Sequence, residues 1–191
     1  MNVFDFDKTV YPKDSAAEFI AYIAIRHPSV IVDLARGVPW AFAYKRGKKS
    51  KTEMKQAFFK CFSRVPDIDK AVEHFWDKRM DRIEGWYMKL KSPDDVIISA
   101  SPEFLLAEPC KRLGVTNLIA SRVDKKTGKY SGVNCYGEEK PRRFAESFPN
   151  GQIDCFYSDS RSDLPMARIA KKAYMIKGSS ASPWIFDEAE K

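Results

Sequence analysis

The sequence lacks a CxxC pair and contains only two histidines in 191 residues. Its four cysteines, Cys61, Cys110, Cys135 and Cys155, are widely spaced, which argues against a disulfide scaffold and makes a structural zinc site improbable. Free thiols in a reducing compartment are expected instead. The histidines do not have the spacing of a zinc motif. The absence of a GxSxG run disfavours a Ser-His-Asp hydrolase.

Long apolar runs are also missing. Charged residues interrupt the most apolar region, so no stretch of about eighteen or more apolar residues exists that could span a membrane. The opening Met-Asn-Val-Phe-Asp does not resemble a secretory signal peptide, and a cytoplasmic location is expected. The chain has 44% hydrophobic residues, which at this length is sufficient for a buried core.

Short apolar runs bounded by polar turns predict the strands of a parallel sheet. Helical patterns separate the later runs, so the sequence predicts a doubly wound α/β fold. In one of these helices Ser101 is the expected N-cap, Pro109 is expected to kink or shorten the helix, and Gly114 ends it. The predicted strands are Asn2 to Phe6, Val96 to Ser99, Asn117 to Ser121, Ile153 to Ser158 and Ala173 to Ile176; the other core helices are Glu138 to Phe148 and Ser162 to Lys171, and residues 126 to 129 form a small hairpin turn.

About eighty residues separate the first two strands, although a crossover between parallel strands needs only a dozen or so. An inserted helical subdomain is therefore predicted: a core of residues 1–11 and 91–191, and a cap of residues 12–90. The cap pattern becomes helical at Ser15, which with Glu18 fits a capping box. Further cap helices are predicted at Ser29 to Ala35, Thr52 to Phe62 and Asp67 to Leu90.

Two pairs of aspartates follow predicted strands. Asp5 and Asp7 lie two residues apart and project to the same side of a strand, and Asp159 and Asp163 follow another strand as a helix begins. Open α/β sheets bind ligands at this edge, and crowded carboxylates are tolerated there when they share a cation. The pattern indicates a Mg2+ site. The alternative is that Asp7 forms an Asx-turn and that Asp163 caps a helix.

The run Asp5 to Thr9, with the sequence DFDKT, resembles the DxDxT signature of the haloacid dehalogenase superfamily. Most members of that superfamily are Mg2+-dependent phosphatases with a Rossmann-like core. Its remaining motifs follow in order as Ser99, Lys140 and the pair Asp159 and Asp163, although the fourth motif lacks the glycines often found there. The insert after the first motif is similar to the helical cap of the subfamily that contains phosphoserine phosphatase.

The resemblance implies a role for each matching residue. Asp5 is the expected nucleophile that forms an aspartyl-phosphate, and Asp7 is the expected general acid and base. Ser99 is expected to donate a hydrogen bond to the phosphoryl group, and Lys140 to neutralise it and hold Asp5. Mg2+ is expected to bind Asp5, the backbone carbonyl of Asp7, and Asp159, while Asp163 orients water or Asp159 and Thr9 supports the loop after Asp7.

The substrate is expected to be a small phosphorylated metabolite such as phosphoserine, or a phospholipid headgroup phosphate. Asp14 stands where phosphoserine phosphatases place an acidic residue that contacts the substrate amine, but it fits a helix N-cap equally well. Lys55 is one of several cap cations that could reach an acidic substrate. Two alternative functions remain: a 2-haloacid dehalogenase, against which Asp7 argues, and a non-catalytic phosphate- or lipid-binding module.

The positive charge is concentrated in the cap. The chain has a formal net charge of +7, of which residues 12–90 carry +6. The segment Trp40 to Lys51 joins aromatic residues to a run of cations. It is either a solvated loop after a core helix or a peripheral contact with an anionic membrane surface. A nucleic-acid partner is not expected, because the charge is confined to one cap stretch and no recognised motif accompanies it.

Overall fold

A six-stranded sheet forms the centre of the molecule. The structure is a computed structural model that describes residues 1–187. The strand order is β3-β2-β1-β4-β5-β6; all neighbouring pairs are parallel except the last, in which β6 is antiparallel to β5. The predicted doubly wound α/β fold is confirmed. The strands are β1 Asn2–Phe4, β2 Val96–Pro102, β3 Asn117–Ser121, β4 Ile153–Ser158, β5 Ala170–Lys177 and β6 Ser180–Pro183.

Helices fill the connections between these strands. The long connection between β1 and β2 contains α1 Ser15–Arg26, α2 Val30–Lys45, α3 Lys51–Phe59, α4 Ile68–Asp77 and α5 Gly85–Leu90. The later connections contain α6 Glu103–Leu113, α7 Glu139–Ser147 and α8 Leu164–Ile169. Short 3-10 turns cover Lys60–Arg64, Met80–Arg82 and Arg161–Asp163.

The alternation of side chains along β1 supplies both faces of the sheet. Val3 packs into one apolar cluster and Phe4 into the other. The cluster around Phe4 also contains Phe19 of α1 and Trp76 of α4, and the Trp76 indole N–H donates to the carbonyl of Leu105 at 2.8 Å. Burial of each large side chain contributes about 1.5–3 kcal/mol. Helices of the predicted cap therefore share a core with the sheet, and the boundary of a separate cap domain stays a prediction.

The helix α2 is longer than the sequence pattern predicts. A helix ending at Ala35 was expected, whereas α2 continues through Gly37 and Pro39 to Lys45. Gly37 permits close contact with α3, because a Cβ atom there would lie 2.8 Å from Cδ1 of Phe58. Packing against α3 thus favours helix where local propensity alone indicates a stop.

The single helix predicted from Asp67 to Leu90 is divided into α4, a 3-10 turn and α5. The backbone N–H of Glu84 donates to the carbonyl of Val10 at 2.9 Å. This hydrogen bond joins the end of the 3-10 turn region to the loop after β1. It lies directly before α5, which begins at Gly85. A continuous helix would commit the Glu84 N–H to the helical ladder instead.

Two predicted N-caps, Ser15 and Ser101, are wrong, whereas the expectation that Asp14 caps a helix is confirmed. The N-cap of α1 is Asp14, whose Oδ1 accepts the N–H of Ala17 at 2.8 Å, and Ser15 is already inside the helix. Ser101 belongs to β2, and Pro102 occupies the N-cap position of α6. The helix α6 continues through Pro109 without being shortened.

Other boundaries near the later strands differ from the prediction in smaller ways. Gly114 ends α6 in the left-handed conformation with φ 72°, as predicted. The helix predicted from Ser162 to Lys171 is only α8, because Ala170 already pairs with β4. The turn at residues 126–129 is present, but it is flanked by a single antiparallel bridge between Val123 and Tyr130 rather than by two strands.

Candidate active site

Three adjacent strands deliver polar side chains to one edge of the sheet. Asp5 follows β1, Ser99 lies in β2, Asp159 follows β4, and β1 is placed between β2 and β4. The chain leaves β1 toward β2 on one side and later returns to β4 on the other, so this is a switch point of the sheet, where such folds bind ligands. A cavity of about 180 Å³ opens here, and its lining includes Asp5, Asp7, Asp14, Ser99, Lys140, Asp159 and Asp163.

A buried lysine connects two of these carboxylates. Lys140, in the first turn of α7, places Nζ 2.7 Å from Oδ1 of Asp5 and 2.6 Å from Oδ2 of Asp163. Ser158 Oγ donates to the same oxygen of Asp163 at 2.7 Å. Burial acts to lower the pKa of Lys140, but the charges of Asp163 and Asp5 outweigh it and raise the pKa overall. The ammonium group is therefore retained in the interior.

This one lysine only partly compensates the negative charge of the Asp5 carboxylate. Burial raises its pKa, the nearby Lys140 lowers it, and the charge of Asp163 raises it again, with a net upward shift. Because Lys140 is shared with Asp163, one positive charge serves two buried carboxylates. A bound cation at this point would stabilise the ionised form of Asp5.

Asp7 is held by two hydrogen bonds from different segments. Its Oδ1 accepts the backbone N–H of Ser15 at 2.8 Å, and its Oδ2 accepts the hydroxyl of Ser101 at 2.5 Å. Burial raises the pKa of Asp7, and the neighbouring charge of Asp14 raises it further. The two hydrogen bonds act in the opposite direction, but the net shift of the pKa is upward, which suits a general acid.

Sequence reasoning missed the contribution of Ser101, which it assigned to a helix cap. Ser101 is buried, contacts Asp7, and its backbone N–H donates to Oγ of Ser99 at 3.1 Å. The available signal was its spacing from Ser99, since residues two apart on a strand project from the same face.

The loop after β1 is tightly turned and is joined to the end of β4. The N–H groups of Val10 and Tyr11 both donate to the carbonyl of Phe6, at 3.0 and 2.9 Å. Lys8 has a positive φ of 59°, which is uncommon for a residue other than glycine. The Oγ1 atom of Thr9 accepts the N–H of Asp159 at 3.0 Å. Thr9 therefore connects the two strand ends that carry the acidic pairs.

The donor set fits a hard cation with few protein ligands. Within residues 1–187 no group of three or more His, Cys, Asp or Glu side chains is arranged to hold a metal ion. Asp5 and Asp159 both line the cavity, and two carboxylates with a backbone carbonyl such as that of Asp7 are the kind of oxygen donors that would suit Mg2+, which retains several waters. Burial raises the pKa of Asp159, with Lys8 acting in the opposite direction, so a cation would relieve this carboxylate too.

Helix α3 contributes two lysines to the lining of the cavity. The Nζ atom of Lys55 donates to the carbonyl of Ala100 at 2.9 Å, and that of Lys51 lies 3.4 Å from the ring centre of Tyr136. Asp14 also lines the cavity, and it caps α1. The position of Asp14 therefore allows both expected roles, that of a helix cap and that of a residue of the site.

The basic aromatic segment lies on the outer part of α2 and the turn after it. Phe42 is 58% exposed, and Nζ of Lys49 lies 4.7 Å from the ring centre of Trp40. Among the residues that the structure describes, no helix has the length and apolar character needed to cross a membrane. A peripheral membrane contact through Trp40 to Lys51 stays a prediction.

The fold and the site together define a hydrolase with a doubly wound α/β core and an aspartate at the end of its first strand. Residues 3–168 match the family described as haloacid dehalogenase-like hydrolase, and the chain belongs to this family. The family resemblance of the sequence motifs is thereby confirmed.

Comparisons with individual proteins agree with this membership. The chain is 30% identical to the protein CicA of Caulobacter vibrioides, over 91% of this chain and 84% of that protein. It is 37% identical to a probable phosphatase of Mycobacterium tuberculosis, over 46% of this chain and 33% of that protein. The fold is similar to that of a phosphoserine phosphohydrolase-like protein from Francisella tularensis, with a TM-score of 0.59, 16% identity and coverage of 91% and 86% of the two chains.

Proposed function

We propose that this protein is a Mg2+-dependent phosphatase that hydrolyses phosphomonoesters through an aspartyl-phosphate on Asp5. The observation that carries the proposal is the contact of Asp5 with buried Lys140 in a cavity that also presents Asp7 and Ser99. Membership of a hydrolase family and similarity to a probable phosphatase support it. Expected substrates are small phosphorylated metabolites such as phosphoserine, or a phospholipid headgroup phosphate.

In the first step a carboxylate oxygen of Asp5 attacks phosphorus, and the bond between phosphorus and the ester oxygen breaks. The departing alkoxide takes the proton of Asp7, whose pKa is raised by burial and by the charge of Asp14. The ammonium of Lys140 and the hydroxyl of Ser99 face the same cavity, where they can stabilise the charge on the phosphoryl oxygens. The product alcohol leaves, and the phosphoryl group remains on Asp5.

In the second step Asp7, now ionised, takes a proton from water while the water oxygen attacks phosphorus. The bond between phosphorus and Asp5 breaks, which releases inorganic phosphate and restores both carboxyl groups. Splitting hydrolysis in this way replaces one very slow displacement by two assisted ones.

The metal has a limited role in this scheme. Mg2+ would be held by Asp5, Asp159 and the backbone carbonyl of Asp7. Asp163 would not hold the metal itself and would act through its contact with Lys140. When bound, Mg2+ would supply charge neutralisation for the phosphoryl group. The side chains of this protein provide the nucleophile, the proton and the orientation.

The test is phosphate release from p-nitrophenyl phosphate and a panel of phosphomonoesters, with Mg2+ and after treatment with EDTA. We expect activity that EDTA abolishes and Mg2+ restores. Asp5→Asn should lose at least about 10³-fold in kcat, because it removes the nucleophile. Asp69→Asn is the matched control, since Asp69 is exposed and pairs with Lys125 away from the cavity.

Trapping the intermediate separates this mechanism from its competitors. Acid-quenched enzyme should carry a phosphoryl group on the peptide that contains Asp5. Turnover by Asp5→Asn at the wild-type rate would exclude Asp5 as nucleophile. Halide release from a 2-haloacid without phosphate release from any monoester would favour the dehalogenase instead.

A further inference from the structure

A second, largely apolar cavity adjoins the active site. It has a volume of about 550 Å³ and lies between α1, α2 and α3. Asp14 and Lys55 line both this cavity and the active-site cavity. We call the second cavity the apolar groove; its walls include Ala17, Ile20, Leu34, Ala35, Phe58 and Phe59.

The groove is open because small side chains occupy parts of its rim. Ala17 on α1 and Ala35 on α2 are both exposed, as are Ile31 and Val38, at 56% and 45%. A continuous apolar concavity of this size is of the kind that accommodates ligands, whereas single exposed apolar side chains need no explanation. Its position beside the active site indicates a ligand that enters both cavities.

The polar residues at the junction define the character of that ligand. Of the two residues shared by both cavities, Lys55 is a cation and Asp14 is a carboxylate, and Lys51, four residues before Lys55 on α3, lines the active-site cavity alone. Lys55 is fixed by its hydrogen bond to the carbonyl of Ala100. Cations and the catalytic carboxylates thus occupy one end of the combined space, and alkyl and aromatic side chains the other. A molecule that fits both ends has an anionic head and an apolar body.

We propose that the apolar groove binds the alcohol portion of the substrate, so that this protein prefers phosphomonoesters whose alcohol carries an alkyl or acyl chain. The inference rests on the proposed phosphatase function and adds to it the chemical class of the leaving group. A short polar alcohol such as serine would fill the active-site cavity and leave the groove solvated. An apolar chain would instead displace water from the walls formed by Leu34 and Phe58.

The test uses a series of n-alkyl phosphates, from methyl to octyl, assayed with Mg2+ below their aggregation concentrations. We expect KM to fall by up to about fourfold for each methylene that is buried, while kcat changes little, because the chain is bound equally in the ground and transition states. The kcat/KM ratio of octyl to methyl phosphate is therefore the measured quantity.

Variants that fill the apolar groove test whether the alkyl group of the substrate binds there. Ala17→Phe and Ala35→Phe should each collapse the octyl-to-methyl ratio toward one. Ala21→Phe is the matched control, because Ala21 is an exposed alanine one turn further along α1 and does not line the groove. It should keep the wild-type ratio. The two groove variants lie on different helices, so a folding defect in one, detected by thermal unfolding, leaves the other informative.

The possible outcomes separate this inference from the function on which it rests. If no monoester releases phosphate, methyl phosphate included, the proposed function fails. If short esters react but the ratio stays near one in the wild type, the apolar groove is not a substrate site. If both groove variants keep the wild-type ratio, the alkyl group of the substrate binds elsewhere, such as on the aromatic residues of α2. That result would also overturn the inference.

Discussion

At the scale of single residues, Lys140 explains why the active site has a defined geometry. Its ammonium group is almost inaccessible to water and lies between Asp5 and Asp163. Burying three charges costs several kcal/mol per ion, which the contacts only partly offset. Such an arrangement contributes little net stability, but it fixes the direction in which Asp5 faces.

Removal of Lys140 should therefore affect stability and activity separately. Lys140→Met leaves two buried carboxylates without a counter-charge and should lower the free energy of unfolding by about 3–5 kcal/mol. The double variant Lys140→Met with Asp163→Asn removes one of those charges, so it should recover part of the stability while remaining inactive. Urea unfolding and phosphate release measure the two effects. A double variant no more stable than Lys140→Met would contradict this account of the bridge.

Ser101 offers a second prediction, because its hydroxyl donates a hydrogen bond to Asp7, the proposed proton donor. Ser101→Ala should loosen the proton donor and lower kcat by about tenfold for alkyl phosphates. Formation of the phosphoenzyme from p-nitrophenyl phosphate should be much less affected, since p-nitrophenolate leaves without protonation. Pre-steady-state bursts of p-nitrophenolate and single-turnover rates with alkyl phosphates measure the difference. Equal losses with both leaving groups would show that Ser101 only supports the fold.

Most of the residues that the sequence singles out do line one cavity, while their catalytic and metal-binding roles stay predictions. Asp5, Ser99 and Asp159 stand at or near the ends of strands, which can be recognised from short apolar runs. Lys140 lies instead in the first turn of α7, within the helix predicted from Glu138 to Phe148. The contacts of Ser101 and Lys55 could not be predicted in this way. Lys55 reaches Ala100 only because α3 folds back over the sheet, and nothing local in the sequence indicates which face of that helix is turned inward.

At the scale of elements, a turn of the core is packed against the predicted cap. Gly128 has φ +71°, and a Cβ atom there would lie 2.1 Å from the carbonyl oxygen of Phe59. Next to it, the N–H of Tyr130 donates to the side chain of Gln56 at 3.0 Å, and the rings of Phe59 and Tyr130 are stacked. The turn that follows Asp124 therefore positions α3, which carries the lysines of the active site.

Gly128→Ala should displace this turn. The left-handed backbone alone costs an alanine about 1–2 kcal/mol, and the overlap with Phe59 adds to it. Gly132→Ala is the matched control, because Gly132 also has a positive φ, of 95°, but a Cβ atom there would meet nothing within 4 Å. We expect a clearly lower Tm for Gly128→Ala than for Gly132→Ala. Similar values for the two variants would mean that the contact with Phe59 is unimportant.

The bounds of strands and helices could be predicted where a single local sequence pattern determines them. The strands β3 and β4 have the predicted bounds because each is an apolar run between polar turns. The edge strand β6, Ser180–Pro183, has no apolar pattern and is formed by antiparallel pairing with β5, so a local analysis could not find it. The extension of α2 likewise depends on a tertiary contact, that of Gly37 with Phe58.

At the scale of the whole molecule, the excess positive charge and the proposed catalytic residues lie in different parts of the chain. Residues 12–90 carry a net charge of +6, whereas the remainder of the chain carries +1 and contains the proposed catalytic carboxylates, Asp5 and Asp7 among them. Charge of one sign beside a cavity raises the local concentration of oppositely charged ligands and accelerates their association. We therefore expect the helical segment to attract anionic substrates to a site that is itself acidic.

This expectation leads to a prediction about ionic strength. For a phosphomonoester dianion, kcat/KM should fall by about threefold or more between roughly 20 and 200 mM NaCl, with kcat nearly constant, since salt screens exposed charges over about 10 Å. Replacing Lys45 and Lys48 together by Glu should flatten this dependence. Replacing Lys111 and Lys172 together by Glu changes the net charge equally but on the core, where both are exposed, and should flatten it less. Equal effects of the two double variants would mean that total charge, rather than its location in the helical segment, governs substrate capture.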